Sequence, residues 1–174
     1  MWESGATGGG RGGYEAAVEA AKRGLRTALV EKEALGGTCL NRGCIPTKTL
    51  LHTAEFFHEL GQGEKLGLTA DGYAVSMEAL QNRKKEVVEQ LKKGVASLMK
   101  MNKITVFAGN GSILDQGLVK AEGAGESQIL HTVHILIATG SVPSCPPIPG
   151  ADLPGVLTSD GLLEQNELFD HLLI

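Results

Sequence analysis

Residues 8–31 of this 174-residue chain, GGGRGGYEAAVEAAKRGLRTALVE, contain the pattern that decides its fold. The stretch from Gly13 to Arg23 is rich in alanine and unbranched residues, lacks proline and is followed by Gly24, which predicts a helix with a glycine C-cap. The short apolar run from Leu25 to Val30 predicts a strand, and an acidic residue, Glu31, follows it. Glycines, helix, strand and acid in this order are the central pieces of a β-α-β nucleotide-binding unit.

Gly8, Gly10 and Gly13 have the spacing G-x-G-x-x-G directly ahead of the predicted helix. In such a motif the first glycine makes a tight turn, the second lets the backbone approach a pyrophosphate, and the third allows close packing of helix against strand. The spacing alone is weak evidence, because 24 residues of the chain are glycine. Glu31 strengthens it, since a carboxylate there can accept hydrogen bonds from both ribose hydroxyls; a solvated charge at a strand end is the alternative.

Two further helices are predicted after this unit. One begins at Ile45, with Pro46 tolerated in its first turn, and a glycine-punctuated loop follows from Gly61 to Tyr73. Apolar residues then recur every three or four positions between Ser76 and Lys100, which predicts a long amphipathic helix whose polar face is exposed to solvent.

Short apolar runs separated by glycine-rich turns predict a small antiparallel meander that returns to the main sheet. These runs are Ile104–Ala108, Ile113–Leu114, Leu118–Ala121 and Ile129–Ala138. The stretch from Val142 to Pro154 holds all but one of the six prolines and is predicted to be neither helix nor strand interior.

Composition excludes several classes of partner. The net charge of −4 offers no basic excess for a nucleic acid, and no cationic amphipathic stretch suggests a membrane surface. No apolar run approaches the roughly 20 residues that span a bilayer, and Met1 to Thr7 has neither the basic start nor the apolar core of a signal peptide. We therefore expect a cytoplasmic enzyme that binds no nucleic acid and no membrane.

Residues 36–48, GGTCLNRGCIPTK, hold two of the three cysteines, Cys39 and Cys44. A C-x4-C pair at the start of a helix can close a small strained ring, and such a disulfide is more easily reduced than a structural one. The helix N-terminus favours a thiolate at Cys44, and Lys48 lies one helical turn further on. Two free or metal-binding cysteines are the alternative, although a zinc site needs two further ligands and there is no second cysteine pair.

This segment resembles the redox-active segment of the pyridine-nucleotide disulfide oxidoreductases, which include dihydrolipoamide dehydrogenase, glutathione reductase and mercuric reductase. The sequence pattern C-L-N-x-G-C-I-P-[ST]-K is most similar to that of the dihydrolipoamide dehydrogenases. The resemblance implies that Cys44 is the sulfur beside the flavin, that Cys39 is the exposed thiol that exchanges with substrate, and that Lys48 lies near flavin N5. No metal site is implied, and Cys145 has no family role.

The resemblance extends to ILIATG, residues 135–140, and the proline-rich segment after it, which are similar to the family's A-T-G-[ST]-x-P turn over the FAD. Gly111, expected in the turn after Ile104–Ala108, corresponds to a family glycine near the adenine end. The implied FAD-binding residues are Gly8, Gly10, Gly13, Glu31, Lys32, Gly37, Thr38, Lys48, Gly111, Thr139, Gly140 and Ser141. The implied fold class is α/β, an incomplete Rossmann-like FAD-binding domain with a parallel sheet, flanking helices and a small antiparallel β-meander.

The sequence departs from the family pattern at its two ends. The family has a buried strand of Val and Ile ahead of the glycines, whereas Met1 to Thr7 reads MWESGAT, a poor central strand. We therefore expect an irregular start and a less well anchored pyrophosphate turn. Leu172 to Ile174 resembles the opening of a further strand, so residues 1–174 correspond to the N-terminal portion of the FAD-binding domain, without the NAD-binding and dimerisation domains.

The resemblance implies an FAD-dependent enzyme that oxidises dihydrolipoamide with NAD through a Cys39–Cys44 disulfide. The implied partners are the lipoyl group of an acyltransferase or of a glycine-cleavage carrier protein, and a second copy in a homodimer. Two alternatives stay open: another family enzyme such as mercuric reductase, and a non-catalytic FAD-binding module or remnant. We expect the 174 residues alone to be catalytically incompetent and to bind FAD weakly or not at all.

Overall fold

The computed structural model describes residues 1–69, 72–123 and 125–174. Within them the chain forms two compact units. The first contains Met1–Asn41 and Gln90–Val142, and the second contains Arg42–Glu89 and Pro143–Ile174.

The first unit is built on one mixed six-stranded sheet with the strand order β3-β2-β1-β6-β5-β4. The strands are β1 (Trp2–Thr7), β2 (Thr27–Glu31), β3 (Thr105–Ala108), β4 (Asn110–Asp115), β5 (Leu118–Gly123) and β6 (Glu126–Ile137). Strands β3, β2, β1 and the second half of β6 are parallel, whereas β4, β5 and the first half of β6 form an antiparallel meander. The predicted α/β class, with its parallel sheet and meander, is confirmed. The run Ile104–Ala108, which was expected in the meander, instead forms the parallel edge strand β3 beside β2.

Helix α1 (Arg11–Lys22) connects β1 to β2, as the β-α-β pattern predicts. It begins two residues before the predicted start and ends one residue before the predicted end, with Arg23 as its C-cap and Gly24 at φ +87 directly after it. A short helix that sequence reasoning missed, α2 (Gly37–Arg42), follows β2.

Strand β2 is buried on both faces, which explains its unbroken apolar sequence. Leu29 is fully buried on one face, where it packs with Ala17 and Val18 of α1 and with Met99. On the other face, Ala28 and Val30 pack against the meander side chains Val119, Ala121 and Leu130. Burial of a side chain such as Leu29 contributes about 2 kcal/mol to folding stability. Apolar packing on both faces of β2 therefore fixes the position of the strand whose end carries Glu31.

The expectation of an irregular start is wrong, because Trp2–Thr7 forms the central strand β1 with β2 on one edge and β6 on the other. Hydrogen bonds to the neighbouring strands on both edges stabilise β1, and this outweighs the weak intrinsic strand preference of its residues. Small residues also fit this place: a β-carbon on Gly5 would lie 3.3 Å from Oγ1 of Thr132. The glycine turn that follows β1 is therefore anchored by a strand paired on both edges.

The second unit is largely helical. It holds α3 (Cys44–Gly61), the first half of α4 (Met77–Met101) and the short α5 (Ser159–Leu163). Pro46 lies in the first turn of α3 as predicted, and Ser76 caps α4 by accepting a hydrogen bond from the backbone N–H of Ala79 at 3.3 Å.

Other expectations for the second unit need correction. The predicted loop from Gly61 to Tyr73 contains a 3-10 helix at Gly63–Leu66, and its residues 70 and 71 lie outside the described residues. The stretch from Val142 to Pro154 has no helix or strand, as predicted, but Leu172–Ile174 forms no strand. The ladder contacts that would fix such a strand are absent from the described part of the chain.

The polar face of α4 is also not wholly exposed to solvent, in contrast to the sequence-based expectation. Lys84 is buried, and its Nζ donates to the carbonyl oxygen of Leu163 at 2.5 Å and to the Glu164 carboxylate at 2.8 Å. Gln81 is buried beside it and donates to the carbonyl oxygens of Leu163 and Gln165. The two side chains thus satisfy carbonyls at the C-terminal end of α5, which no backbone donor within α5 can reach.

Candidate functional site

The turn between β1 and α1 is too closely packed for side chains at two of the motif glycines. Gly8 has φ +101, and a β-carbon there would overlap the carbonyl oxygen of Ala138 and lie 3.0 Å from the backbone nitrogen of Thr139. A β-carbon at Gly13 would overlap the carbonyl oxygen of Gly8. The motif thus brings the start of α1 directly against the end of β6, where the A-T-G segment lies.

The N-terminus of α1 has the properties of an anion site. Its N-cap, Gly10, provides no side-chain hydrogen bond, and the first turn contains no acidic residue. The first backbone N–H groups of a helix lack intrahelical acceptors, and the helix dipole adds partial positive charge there. A pyrophosphate can supply both the acceptors and the negative charge.

Glu31, the last residue of β2, is held in place rather than freely solvated. Its carboxylate accepts a short hydrogen bond from the backbone N–H of Gly9 and another, at 2.8 Å, from the backbone N–H of Glu33. A carboxylate has about four lone-pair sites, so these two bonds leave acceptor capacity for ribose hydroxyls. Lys32 beside it is exposed and lies 3.8 Å from the Glu33 carboxylate.

Other predicted cofactor residues lie at the same carboxyl edge of the parallel strands, where ligands bind in open α/β sheets. Gly111 lies in β4 rather than in the expected turn, which is centred on Gly109 at φ +145. A β-carbon on Gly111 would lie 3.0 Å from Cγ2 of Thr7, at the end of β1. Thr139, Gly140 and Ser141 follow β6 and are exposed.

Cys39 and Cys44 are joined in a disulfide, whereas Cys145 is an exposed free thiol. Cys39 lies within α2, a helix of its own that sequence reasoning did not predict, and Cys44 is the first residue of α3. Lys48 lies one turn after Cys44 on α3, as predicted, so the two residues share a face of that helix. Both cysteines and Lys48 are exposed, so an external dithiol can reach the disulfide.

Sequence reasoning missed Gly9, the middle residue of the first G-x-G. This buried glycine donates to Glu31 and accepts a hydrogen bond at 2.8 Å from the backbone N–H of Gly36, the first residue of the redox segment. The motif G-x-G allows any residue at its middle position, so it does not predict such a role for Gly9. The spacing between Gly9 and its partners is 22 residues or more, which local patterns do not register.

Over the described residues, 1–69, 72–123 and 125–174, no helix is both long enough and apolar enough to cross a membrane. Within the same ranges, no three His, Cys, Asp or Glu side chains are grouped as metal ligands would be.

The family model for pyridine nucleotide-disulphide oxidoreductase matches residues 7–174. Among curated proteins, the chain is 42% identical to a dihydrolipoyl dehydrogenase of Bacillus subtilis, with 96% of this chain and 37% of the relative covered. It is 43% identical to the dihydrolipoyl dehydrogenase of Chlamydia trachomatis, with 92% and 35% covered.

Among solved structures, the chain is similar to the HOCl-induced flavoprotein disulfide reductase RclA from Escherichia coli. The TM-score is 0.78 at 33% identity, covering 96% of this chain and 35% of that one. The chain thus spans little more than a third of the length of the proteins it resembles. With its parallel sheet, its glycine turn and its Cys39–Cys44 redox disulfide, the chain belongs to the pyridine nucleotide-disulphide oxidoreductase family.

Proposed function

We propose that this chain is the N-terminal portion of the FAD-binding domain of a dihydrolipoamide dehydrogenase, which oxidises dihydrolipoamide to lipoamide with NAD. The observation that carries the proposal is the exposed Cys39–Cys44 disulfide with C-x4-C spacing, together with identities above 40% to dihydrolipoyl dehydrogenases over nearly the whole chain. The NAD-binding and dimerisation domains would be supplied by residues beyond these 174.

The β1–α1 turn fits FAD by three features: it excludes side chains at Gly8 and Gly13, its helix N-terminus is uncapped, and Glu31 retains acceptor capacity. Gly8, Gly10 and Gly13 would hold the pyrophosphate, and Glu31 the ribose. Lys32, Gly37, Thr38, Lys48, Gly111, Thr139, Gly140 and Ser141 are the further proposed contacts. When bound, FAD supplies an acceptor for the electron pair of the reduced cysteines and a donor to NAD.

The chemistry of the cysteines follows from thiol–disulfide exchange. A thiolate of dihydrolipoamide attacks the Cys39 sulfur, a mixed disulfide forms, and Cys44 leaves as a thiolate. The second substrate sulfur, after losing its proton, attacks the first, so lipoamide departs with its ring disulfide closed and Cys39 becomes a thiolate. One electron pair has then passed from substrate to protein, and two protons have been released.

The position of Cys44 stabilises the product of this step. A thiolate at the first residue of α3 lies at the positive end of the helix dipole. The ammonium of Lys48, one turn later on the same face, adds a second positive charge near the thiolate. Cys44 is therefore the better leaving group, which leaves Cys39 to exchange with substrate.

The proposed partners of the whole protein are a lipoyl group on an acyltransferase or a glycine-cleavage carrier protein, and a second copy in a homodimer. Exposed apolar side chains on the second unit support an association with a protein partner. Leu51 and Phe56 of α3 and Leu68 are each more than half exposed, at 53%, 58% and 61%. Exposed apolar side chains of this number also favour self-association of the isolated chain.

The proposal is tested on the 174-residue chain and on a whole protein that contains it. We expect the isolated chain to oxidise no dihydrolipoamide and to bind FAD weakly, because less of a ligand is buried when a cleft wall is missing. The whole protein should contain FAD and produce NADH from dihydrolipoamide and NAD. A flavin-free whole protein would favour a non-catalytic remnant, and a flavoprotein that reduces Hg(II) but not lipoamide would favour a mercuric reductase.

A further inference from the structure

Gly9 uses both of its backbone polar groups to connect two parts of the first unit. Its N–H donates to the carboxylate of Glu31, and its carbonyl oxygen accepts from the N–H of Gly36 at 2.8 Å. A hydrogen bond to a charged group is stronger than one between neutral groups, so the bond to Glu31 is the stronger of the two. Gly9 and Gly36 are buried, whereas Glu31 is half-buried.

The surroundings of Gly9 leave no room for a side chain. A β-carbon there would lie 2.9 Å from Cδ2 of Leu35 and 3.0 Å from Oε2 of Glu31. The φ angle of Gly9 is not in the left-handed region, so the need for glycine comes from this close approach and not from backbone conformation.

The segment on the far side of this link leads directly into Cys39. Gly36 has φ +104, and a β-carbon on Gly37 would lie 2.6 Å from the Cα of Gly10. Nδ2 of Asn41 donates to the carbonyl oxygens of Leu35 and Gly37 at 3.1 and 3.0 Å. Residues 35–41, a turn that runs into α2 and includes Cys39, are therefore braced as one unit. This unit is connected to the β1–α1 turn through Gly9 and the Gly10–Gly37 contact.

We propose that Gly9 is a positioning residue that fixes the turn carrying Cys39 in register with the β1–α1 turn and with Glu31. The same carboxylate that holds Gly9 is the proposed ribose acceptor, so a nucleotide at Glu31 and the reactivity of Cys39 are coupled through one chain of hydrogen bonds. Only the identification of the ligand group at Glu31 as a ribose rests on the proposed function. The effect of Gly9 on Cys39 does not require it.

The test is the rate at which dithiothreitol reduces the Cys39–Cys44 disulfide in the 174-residue chain without added flavin. In Gly9→Ala the loss of register should free the turn and speed reduction roughly threefold to tenfold, as expected when a link of about 1 kcal/mol is lost. The matched control is Gly12→Ala, because the nearest atom to a β-carbon there is 4.0 Å away. Val119→Ala controls for stability, since Val119 is a buried core residue remote in sequence from the turn.

A Gly9→Ala rate equal to that of Gly12→Ala would overturn the proposal, as would an equal acceleration in Val119→Ala. If Gly9→Ala does not fold, Glu31→Gln takes its place, because the amide keeps the size of the carboxylate but offers one acceptor oxygen instead of two. An unchanged rate in that variant is likewise contrary to the proposal. In the wild type, ADP should alter the rate if the nucleotide site is as proposed; its failure to bind would count against the proposed function alone.

Discussion

The β1–α1 turn and the disulfide segment differ in what they require of their residues. In the turn, Gly8 and Gly13 are required because they have no side chain, since any β-carbon would overlap backbone. In the disulfide segment, Cys39, Cys44 and Lys48 are exposed, and we propose that they act through the chemistry of their side chains. The turn is therefore sensitive to volume, and the disulfide segment to chemical identity.

Because of this difference, we expect substitutions in the two halves of the proposed site to have different effects. A substitution in the turn should lower stability and nucleotide affinity together, because packing and ligand approach depend on the same empty space. A substitution at an exposed cysteine should remove redox activity while the sheet and its packing remain. Variants in each region can therefore separate cofactor binding from electron transfer.

The largest expected effect is the complete loss of dithiol exchange in Cys44→Ser. Serine offers no sulfur, so no disulfide with Cys39 can form, and thiol titration should show no change on reduction. FAD affinity of the whole protein should remain nearly unchanged, because the β1–α1 turn is untouched. The matched control is reduced wild type, which lacks the same bond. A flavin affinity that drops only in the variant would show that flavin binding also depends on the disulfide segment.

A second expected effect is a loss of about 3 kcal/mol of folding free energy in Gly13→Ala, the upper end for an overpacked position. The added β-carbon would overlap the carbonyl oxygen of Gly8, and backbone can move only by shifting β1 against α1. Denaturant unfolding measures the loss, with Gly12→Ala as control. Equal stabilities for the two alanine variants would mean that the turn is less tightly packed than the structure indicates.

The sequence predicts the disulfide segment well because spacing and residue type carry its chemistry locally. Cys39 and Cys44 are identified in this way, and the disulfide between them is present, whereas the role of Lys48 stays a prediction. The short helix α2 was missed because six residues give too little periodicity to register.

Features that depend on distant partners could not be predicted. Strand β1 has weak local preference and owes its place to ladders with β2 and β6, and β6 is more than 100 residues away in sequence. Lys84 was expected on an exposed face but donates to a backbone carbonyl and to a carboxylate about 80 residues later in the chain. Gly9 has no side chain to reveal its bonds to Glu31 and Gly36.

The smallest expected effect is that of Cys145→Ser, which separates exposure from reactivity. Cys145 is exposed like the redox pair, but it lies among prolines in a segment without helix or strand. No helix N-terminus stabilises its thiolate there, and its sulfur is not in a disulfide. Wild type should therefore titrate one thiol before reduction and all three cysteines after it. In the variant the first thiol should disappear, while the two that depend on reduction should remain and the rate of reduction by dithiothreitol should be unchanged. A slower rate would mean that Cys145 takes part in exchange, and exposure would then matter more than position at a helix start.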